Sequence, residues 1–207
     1  MTFTYPATEG HDGFTLGPLD LTIRRGDVVF LTGANGSGKS TFGRLLAGLY
    51  RPAAGRICAD GVPITDARLG AWRALFATVF VEHRTLATLY GVEEQALERA
   101  PALLGELELA DKTAIVDGRV TNLGLSTGQS KRLALVLTRL QGKPILVLDE
   151  WAAEQDPEHR AWFYDELLPA LRAEGRTVIV ITHDDQYFDR ADWRLVMTAG
   201  RIASGDR

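Results

Sequence analysis

Scarcity of a few residue types and patterns bounds this 207-residue sequence before any motif is read. Cys58 is its single cysteine, so no intrachain disulfide can form and the chain suits a reducing compartment. Nothing beside Cys58 suggests metal or nucleophile chemistry, and it reads as a small residue filling space. No apolar run approaches the roughly 20 residues needed to span a bilayer, and the N-terminus lacks the basic-then-apolar layout of a signal peptide. The chain is expected in the cytosol, with any membrane role coming through a partner or a segment outside it. A basic excess is missing too: 23 Lys and Arg against 27 Asp and Glu leave a net charge of −4, which gives no whole-chain electrostatic case for nucleic acid. Internal repeats and low-complexity tracts are absent. What remains, 45% hydrophobic and 24% charged residues, suits one compact α/β domain with room for a smaller lobe.

Among what is present, residues 33 to 41 are the most informative. They read GANGSGKST, follow the apolar run Val28-Val29-Phe30-Leu31, and open the amphipathic stretch Phe42 to Leu49. This strand-loop-helix context and the spacing G-x-x-x-x-G-K-[ST] define a phosphate-binding loop, and hence a P-loop NTPase with a mainly parallel core sheet. Gly33, Gly36 and Gly38 admit backbone conformations that let successive N–H groups, with those of Ala34, Asn35 and Ser37, point at one phosphate chain. The following helix adds the positive end of its dipole. Lys39 brings a full charge to the outer phosphates, Ser40 offers its hydroxyl to a magnesium ion, and Thr41 completes the motif. The site is built for a nucleoside triphosphate.

A second piece of chemistry lies at Ile145-Leu146-Val147-Leu148-Asp149-Glu150, four apolar residues ending in two acids. In a parallel sheet those acids fall at the C-terminal edge, where ligands of this fold class bind. Asp149 is suited to magnesium through its water shell, and Glu150 to orienting and deprotonating the attacking water.

Around these motifs, short strands are expected at Thr2 to Tyr5, Leu19 to Ile23 and Val28 to Leu31, forming an N-terminal antiparallel β subdomain, with another strand and turn at Arg56 to Gly61. Residues 84–141 are rich in leucine, alanine and glutamate at helical spacing and read as an inserted helical subdomain, with Pro101 starting a second helix. The division is therefore 1–83 and 142–207 for the catalytic core with its β subdomain, and 84–141 for the helical insertion. Asp156 and Pro157 open a helix that Gly175 closes, Thr177 to Thr182 is a strand buried on both faces, and residues 194 to 204 form a closing hairpin.

Leu125-Ser126-Thr127-Gly128-Gln129 stands before the apolar helix Arg132 to Leu140. It resembles the LSGGQ signature of ATP-binding cassette (ABC) proteins, with Thr127 in place of a glycine, and the resemblance covers essentially the whole chain. It implies a head-to-tail dimer in which Ser126, Thr127, Gly128 and Gln129 serve the ATP held on the partner copy's phosphate loop. His183, in Ile181-Thr182-His183-Asp184, matches the family's switch histidine at the γ-phosphate. Asp156 matches the aspartate that communicates between the two sites, while also serving as a helix cap. Tyr5 matches the aromatic that stacks on adenine, against the bland reading of a strand residue packing inward. Where the family has a metal-binding glutamine, this chain reads Val81-Glu82-His83; only Glu82 there has a side chain suited to magnesium.

The stretch Leu148 to Pro157, with Trp151 at an unusual place, together with Ile181 to Asp185, is similar to ABC exporters of cyclic peptides and siderophores. That resemblance implies a six-helix membrane domain fused upstream, no nucleic-acid partner, and a location at the cytoplasmic face of the inner membrane. The competing reading is a soluble ABC ATPase head acting on nucleic acid or the ribosome. It is weakened by the short span between Lys39 and Leu125, the lack of a sustained heptad pattern, the single cassette and the acidic balance. Lys39, Asp149, Glu150 and His183 together argue against a non-hydrolysing cassette.

Overall fold

The computed structural model describes residues 1–7, 13–81 and 87–206. An antiparallel pair, β1 (Phe3–Tyr5) and β2 (Phe14–Leu16), precedes β3 (Val28–Thr32) and α1 (Lys39–Leu46). A second small pair, β4 (Cys58–Ala59) and β5 (Val62–Pro63), leads into α2 (Asp66–Arg73) and β6 (Phe76–Val79). Then come α3 (Glu94–Leu97), α4 (Ala100–Glu106), the hairpin of β7 (Ile115–Val116) and β8 (Arg119–Val120), and α5 (Thr127–Leu140). The chain continues with β9 (Ile145–Asp149), α6 (Pro157–Trp162), α7 (Leu168–Ala173) and β10 (Thr177–Ile181). It ends in the antiparallel hairpin β11 (Trp193–Thr198) and β12 (Arg201–Asp206).

The core is a six-stranded sheet in the order β12-β11-β3-β10-β9-β6, parallel throughout except for the edge strand β12. Every residue of β3 and β10 is buried, because helices cover both faces of the sheet. Successive side chains go to opposite faces: Val28 and Phe30 pack with Leu133, Val136 and Phe163, whereas Val29 and Leu31 pack with Phe42 and Leu45. Each such fully buried aliphatic side chain contributes roughly 1.5–3 kcal/mol.

Three local expectations need correction. Leu19 to Ile23 forms no strand; the partner of β1 is Phe14–Leu16, in the register Phe3↔Leu16. Gly17, at φ 108°, turns the chain away, and Leu19 is buried and Leu21 and Ile23 partly buried without joining a ladder. Cys58 does not fill space inside, because its strand lies at the rim and the thiol is exposed. The hairpin β7–β8 falls within a stretch read as helical, where Asp117 and Gly118, both at positive φ, form its two-residue turn.

The helix expected from Pro157 onward begins as foreseen, with the Asp156 carboxylate accepting from the His159 N–H at 2.9 Å. Its course is interrupted by a π-type turn at Phe163–Leu167, just ahead of Pro169, which has no N–H to continue the ladder. Among the described residues no helix is long and apolar enough to cross a membrane.

Candidate functional site

Strand register decides what meets at the top of the sheet. Ile181 of β10 aligns with Leu31 of β3 on one side and Asp149 of β9 on the other, so three neighbouring strands end at one level. The loop from Gly33, the pair Asp149-Glu150 and the pair Thr182-His183 leave these strands together. Sequence-distant residues become neighbours by topology alone.

The loop from Gly33 leads into α1, whose N-cap is Gly38 at φ 106°, with no side-chain cap. A Cβ at Gly38 would lie 2.8 Å from the Phe14 ring, so both conformation and space demand glycine. The first N–H groups of α1 are left to an external acceptor, as an anion site requires. Lys39 is buried and donates through Nζ to the Gly33 and Ala34 carbonyls, at 2.8 and 3.1 Å, so the loop curls around its own cation. Burial lowers the Lys39 pKa, while the Glu150 and Asp149 carboxylates oppose that shift. Ala34, Asn35 and Gly36 face solvent, and the Ser37 hydroxyl is buried with no hydrogen-bond partner.

Asp149 is 1% exposed, and neither carboxylate oxygen has a hydrogen-bond partner. Burial raises its pKa above the ordinary aspartate value; the Ser40 hydroxyl close by, without a formed bond, works against this and the Glu150 charge adds to it. Two orphaned buried oxygens beside a serine hydroxyl fit a hard, oxygen-seeking cation. Among the described residues no group of three His, Cys, Asp or Glu side chains gathers to hold a metal, so such an ion would take its remaining ligands from phosphate and water.

Glu150 adopts φ 51°, a left-handed conformation costly for a side chain of its size. Its N–H donates to the Ile181 carbonyl at 2.9 Å, and its Oε1 lies 3.2 Å from His183 Nε2, an ion pair when the imidazole is protonated. Both side chains stay partly open to solvent.

The signature segment forms the start of α5. Ser126 Oγ accepts from the Gln129 N–H at 3.3 Å and Gln129 Oε1 accepts from the Ser126 N–H at 3.0 Å, a complete capping box. A Cβ at Gly128 would meet the Glu154 carbonyl at 2.9 Å, and Gln155 donates to the Gly128 carbonyl, so the segment abuts the loop after Glu150. No hydrogen bond or ion pair among the described residues joins Ser126, Thr127, Gly128 or Gln129 to the phosphate loop. Asp156 bonds both the backbone and the ring of His159, which lowers its pKa through the backbone N–H first. His159 Nε2 in turn meets Arg132 of α5 at 2.6 Å. Tyr5 comes to rest near Thr41 of α1, with its ring edge-on to Phe3 and Tyr50, and burial raises its pKa. Glu82 lies outside the described residues.

Sequence reasoning did not assign three buried residues around the site. Tyr164 hydrogen-bonds Thr182 Oγ1 at 2.6 Å and Asp184 Oδ2 at 2.9 Å, on either side of His183; burial pushes its phenol pKa up. Lys131 and Trp151 bond across between α5 and the Glu150 segment. Lys131 had a legible signal: a charged residue in register with Leu135 and Thr138 on the buried stripe of α5.

This geometry agrees with comparisons against known proteins. The model of the ABC transporter family matches residues 16–153. The chain is 44% identical over 204 residues to the ATP-binding protein SyrD of Pseudomonas syringae pv. syringae, covering 97% of this chain and 36% of that protein. It is 33% identical to an ATP-dependent lipid A-core flippase of Chromobacterium violaceum, over 100% of this chain and 37% of the flippase. The chain thus spans a little over a third of the length of these curated relatives. Its fold superposes on the dimeric structure of MJ0796, a bacterial ABC transporter cassette, with a TM-score of 0.80 at 22% identity, covering 100% of this chain and 95% of the other. With its phosphate loop, paired acids and signature helix in one fold, the chain belongs to the ABC transporter family and carries that family's ATPase domain.

Proposed function

We propose that this chain binds and hydrolyses ATP to drive an exporter, with Lys39, Glu150 and His183 as the residues that act on the reacting phosphate and water. The observation that carries the reading is the meeting of Lys39, Asp149, Glu150 and His183 at the ends of three adjacent strands. The backbone from Gly33 to Gly38, with Ser40 and Thr41, cradles the triphosphate. Lys39, freed from two carbonyls of its own loop, turns its charge to the outer phosphates. Glu150 accepts the proton of the attacking water, and His183 holds both Glu150 and the γ-phosphate. Ser40 and Asp149 would hold magnesium, with Glu82 as a further ligand; bound there, the ion supplies positive charge against that developing on the phosphoryl oxygens. Tyr5 would stack on the adenine in this reading, which its proximity to Thr41 supports.

Two copies pair head to tail in this proposal, each lending Ser126 to Gln129 to the other's nucleotide, with Asp156 between the sites. Residues 84–141 act as the helical unit that carries the signature, and 1–83 with 142–207 as the catalytic unit. The partner is a membrane domain, fused upstream in the native chain, of the type that exports cyclic peptides or siderophores, which puts this domain at the cytoplasmic face of the inner membrane. Glu150→Gln tests the core of the proposal: it is expected to retain ATP binding, lose steady-state turnover and elute as an ATP-dependent dimer in size-exclusion chromatography. Turnover at the wild-type rate would identify a different base.

A further inference from the structure

We propose that Lys131 and Trp151 are positioning residues for hydrolysis: together they latch the backbone of Glu150 to the signature helix α5 and hold it in its left-handed conformation. The inference rests on Glu150 as the base.

Lys131 is 2% exposed, and among the described residues no buried carboxylate is paired with it. Its Nζ donates to the Glu150 carbonyl at 2.8 Å and lies 3.5 Å from Oε1 of the half-exposed Glu154. A buried ammonium group is kept only where its donors are used, and here the short bond goes to the peptide of the proposed base. The reverse bond runs from Trp151, whose indole Nε1 donates to the Lys131 carbonyl at 2.8 Å. Trp151 is fully buried and stacks on Phe163, with ring centroids 4.8 Å apart, so the indole is held rigidly from below. Two consecutive residues of one segment therefore exchange bonds with one residue of α5.

Glu150 needs such a hold. At φ 51° its backbone lies in a region that a glutamate leaves readily unless its surroundings fix it. Its N–H is tied to Ile181 of β10, and the Lys131 ammonium ties its carbonyl, so both ends of the residue are clamped and the carboxylate is aimed at His183. Released at the carbonyl, the peptide relaxes and the carboxylate moves off its line to the water. Because Lys131 stands five residues from Ser126 on the same helix, whatever moves the start of α5 also pulls on this clamp.

The chain is assayed with ATP and magnesium after two changes. Lys131→Met removes the ammonium and keeps a long unbranched side chain, and Trp151→Phe removes the indole N–H together with part of its ring, so melting curves are taken for both. Expected for Lys131→Met is a fall in kcat of roughly tenfold to a hundredfold, with KM and directly measured ATP affinity within about twofold of wild type. Trp151→Phe is expected to lower kcat severalfold, and the double variant to fall no further than Lys131→Met, since both break one latch. Unchanged kcat, a rise in KM that accounts for the loss, or a double-variant loss equal to the product of the single losses overturns the proposal. Should melting curves show Lys131→Met unfolded, Trp151→Phe decides by the same kcat and KM criteria. Glu150→Gln is run in parallel: if it turns over, the assignment of the base has failed, whereas if it is inactive and Lys131→Met is not, only the latch has failed.

Discussion

The starts of α1 and α5, the two assigned to phosphate in the proposed function, are built in opposite ways. At α1 the cap is Gly38, no side chain satisfies the first N–H groups, and the nearest charge is a buried lysine. At α5 the cap is Ser126, and with Gln129 it closes a reciprocal capping box that uses the chain's own groups. An open start is poised for an anion whether or not a second copy is present, while a closed one is already content and has only its exposed hydroxyl to offer. Under the proposed function the contrast corresponds to a division of labour, with α1 capturing nucleotide by itself and α5 engaging after capture, when a neighbouring surface brings the phosphate to it.

Lys39→Ala is the harshest test of that contrast. It should weaken ATP affinity by roughly a hundredfold or more in nucleotide titrations, because a charge-assisted contact in a water-poor site is worth about 3 kcal/mol or more. Retained affinity would mean that α1 is not the capturing end. Next in size is Gly38→Ala, which must adopt φ 106° and push its Cβ against Phe14. A destabilisation of about 1–3 kcal/mol in denaturant titrations is expected, with nucleotide affinity falling alongside.

Asp149→Asn probes the electrostatic side of the open end. The folded-state pKa of Asp149 is raised by burial, so ionising it disfavours the fold, and the penalty grows as pH rises from the unfolded value through the folded one. Without nucleotide or metal, the asparagine variant should therefore melt higher than wild type at neutral pH, and the gap should close as pH falls below the ordinary aspartate range. The closed end has no titratable group in its cap, so Ser126→Ala should show a pH-independent loss of about 1 kcal/mol, or roughly 2–4 °C in melting temperature. Its turnover should fall most at low protein concentration, where pairing limits the rate.

Much of the open end was legible in the sequence because its parts are contiguous: a strand, a glycine-rich loop and a helix encode one chemical purpose in order. Asp149 and Glu150 were equally readable from the apolar run before them. The left-handed backbone of Glu150 was not, since it depends on bonds to Ile181 and Lys131, residues of other elements. Trp151 looked unusual in the sequence, but its role needed a partner carbonyl that no pattern indicates. The absence of a strand at Leu19 to Ile23 has the same origin, because pairing depends on a partner strand, and Phe14–Leu16 takes the place beside β1. The Asp117-Gly118 hairpin was missed despite a turn signal equal to Asp60-Gly61, which was recognised; leucine-rich surroundings outweighed it.

The π-type turn at Phe163–Leu167 has a consequence for how this molecule tolerates change. Tyr164 sits inside that turn, and its phenol grips the two neighbours of His183. One residue more or less in a helical turn rotates everything beyond it by about 100°, so a deletion within residues 163–167 would swing the phenol away from Thr182 and Asp184 and let the histidine drift. Length in this stretch is thereby constrained from a distance by the segment around His183.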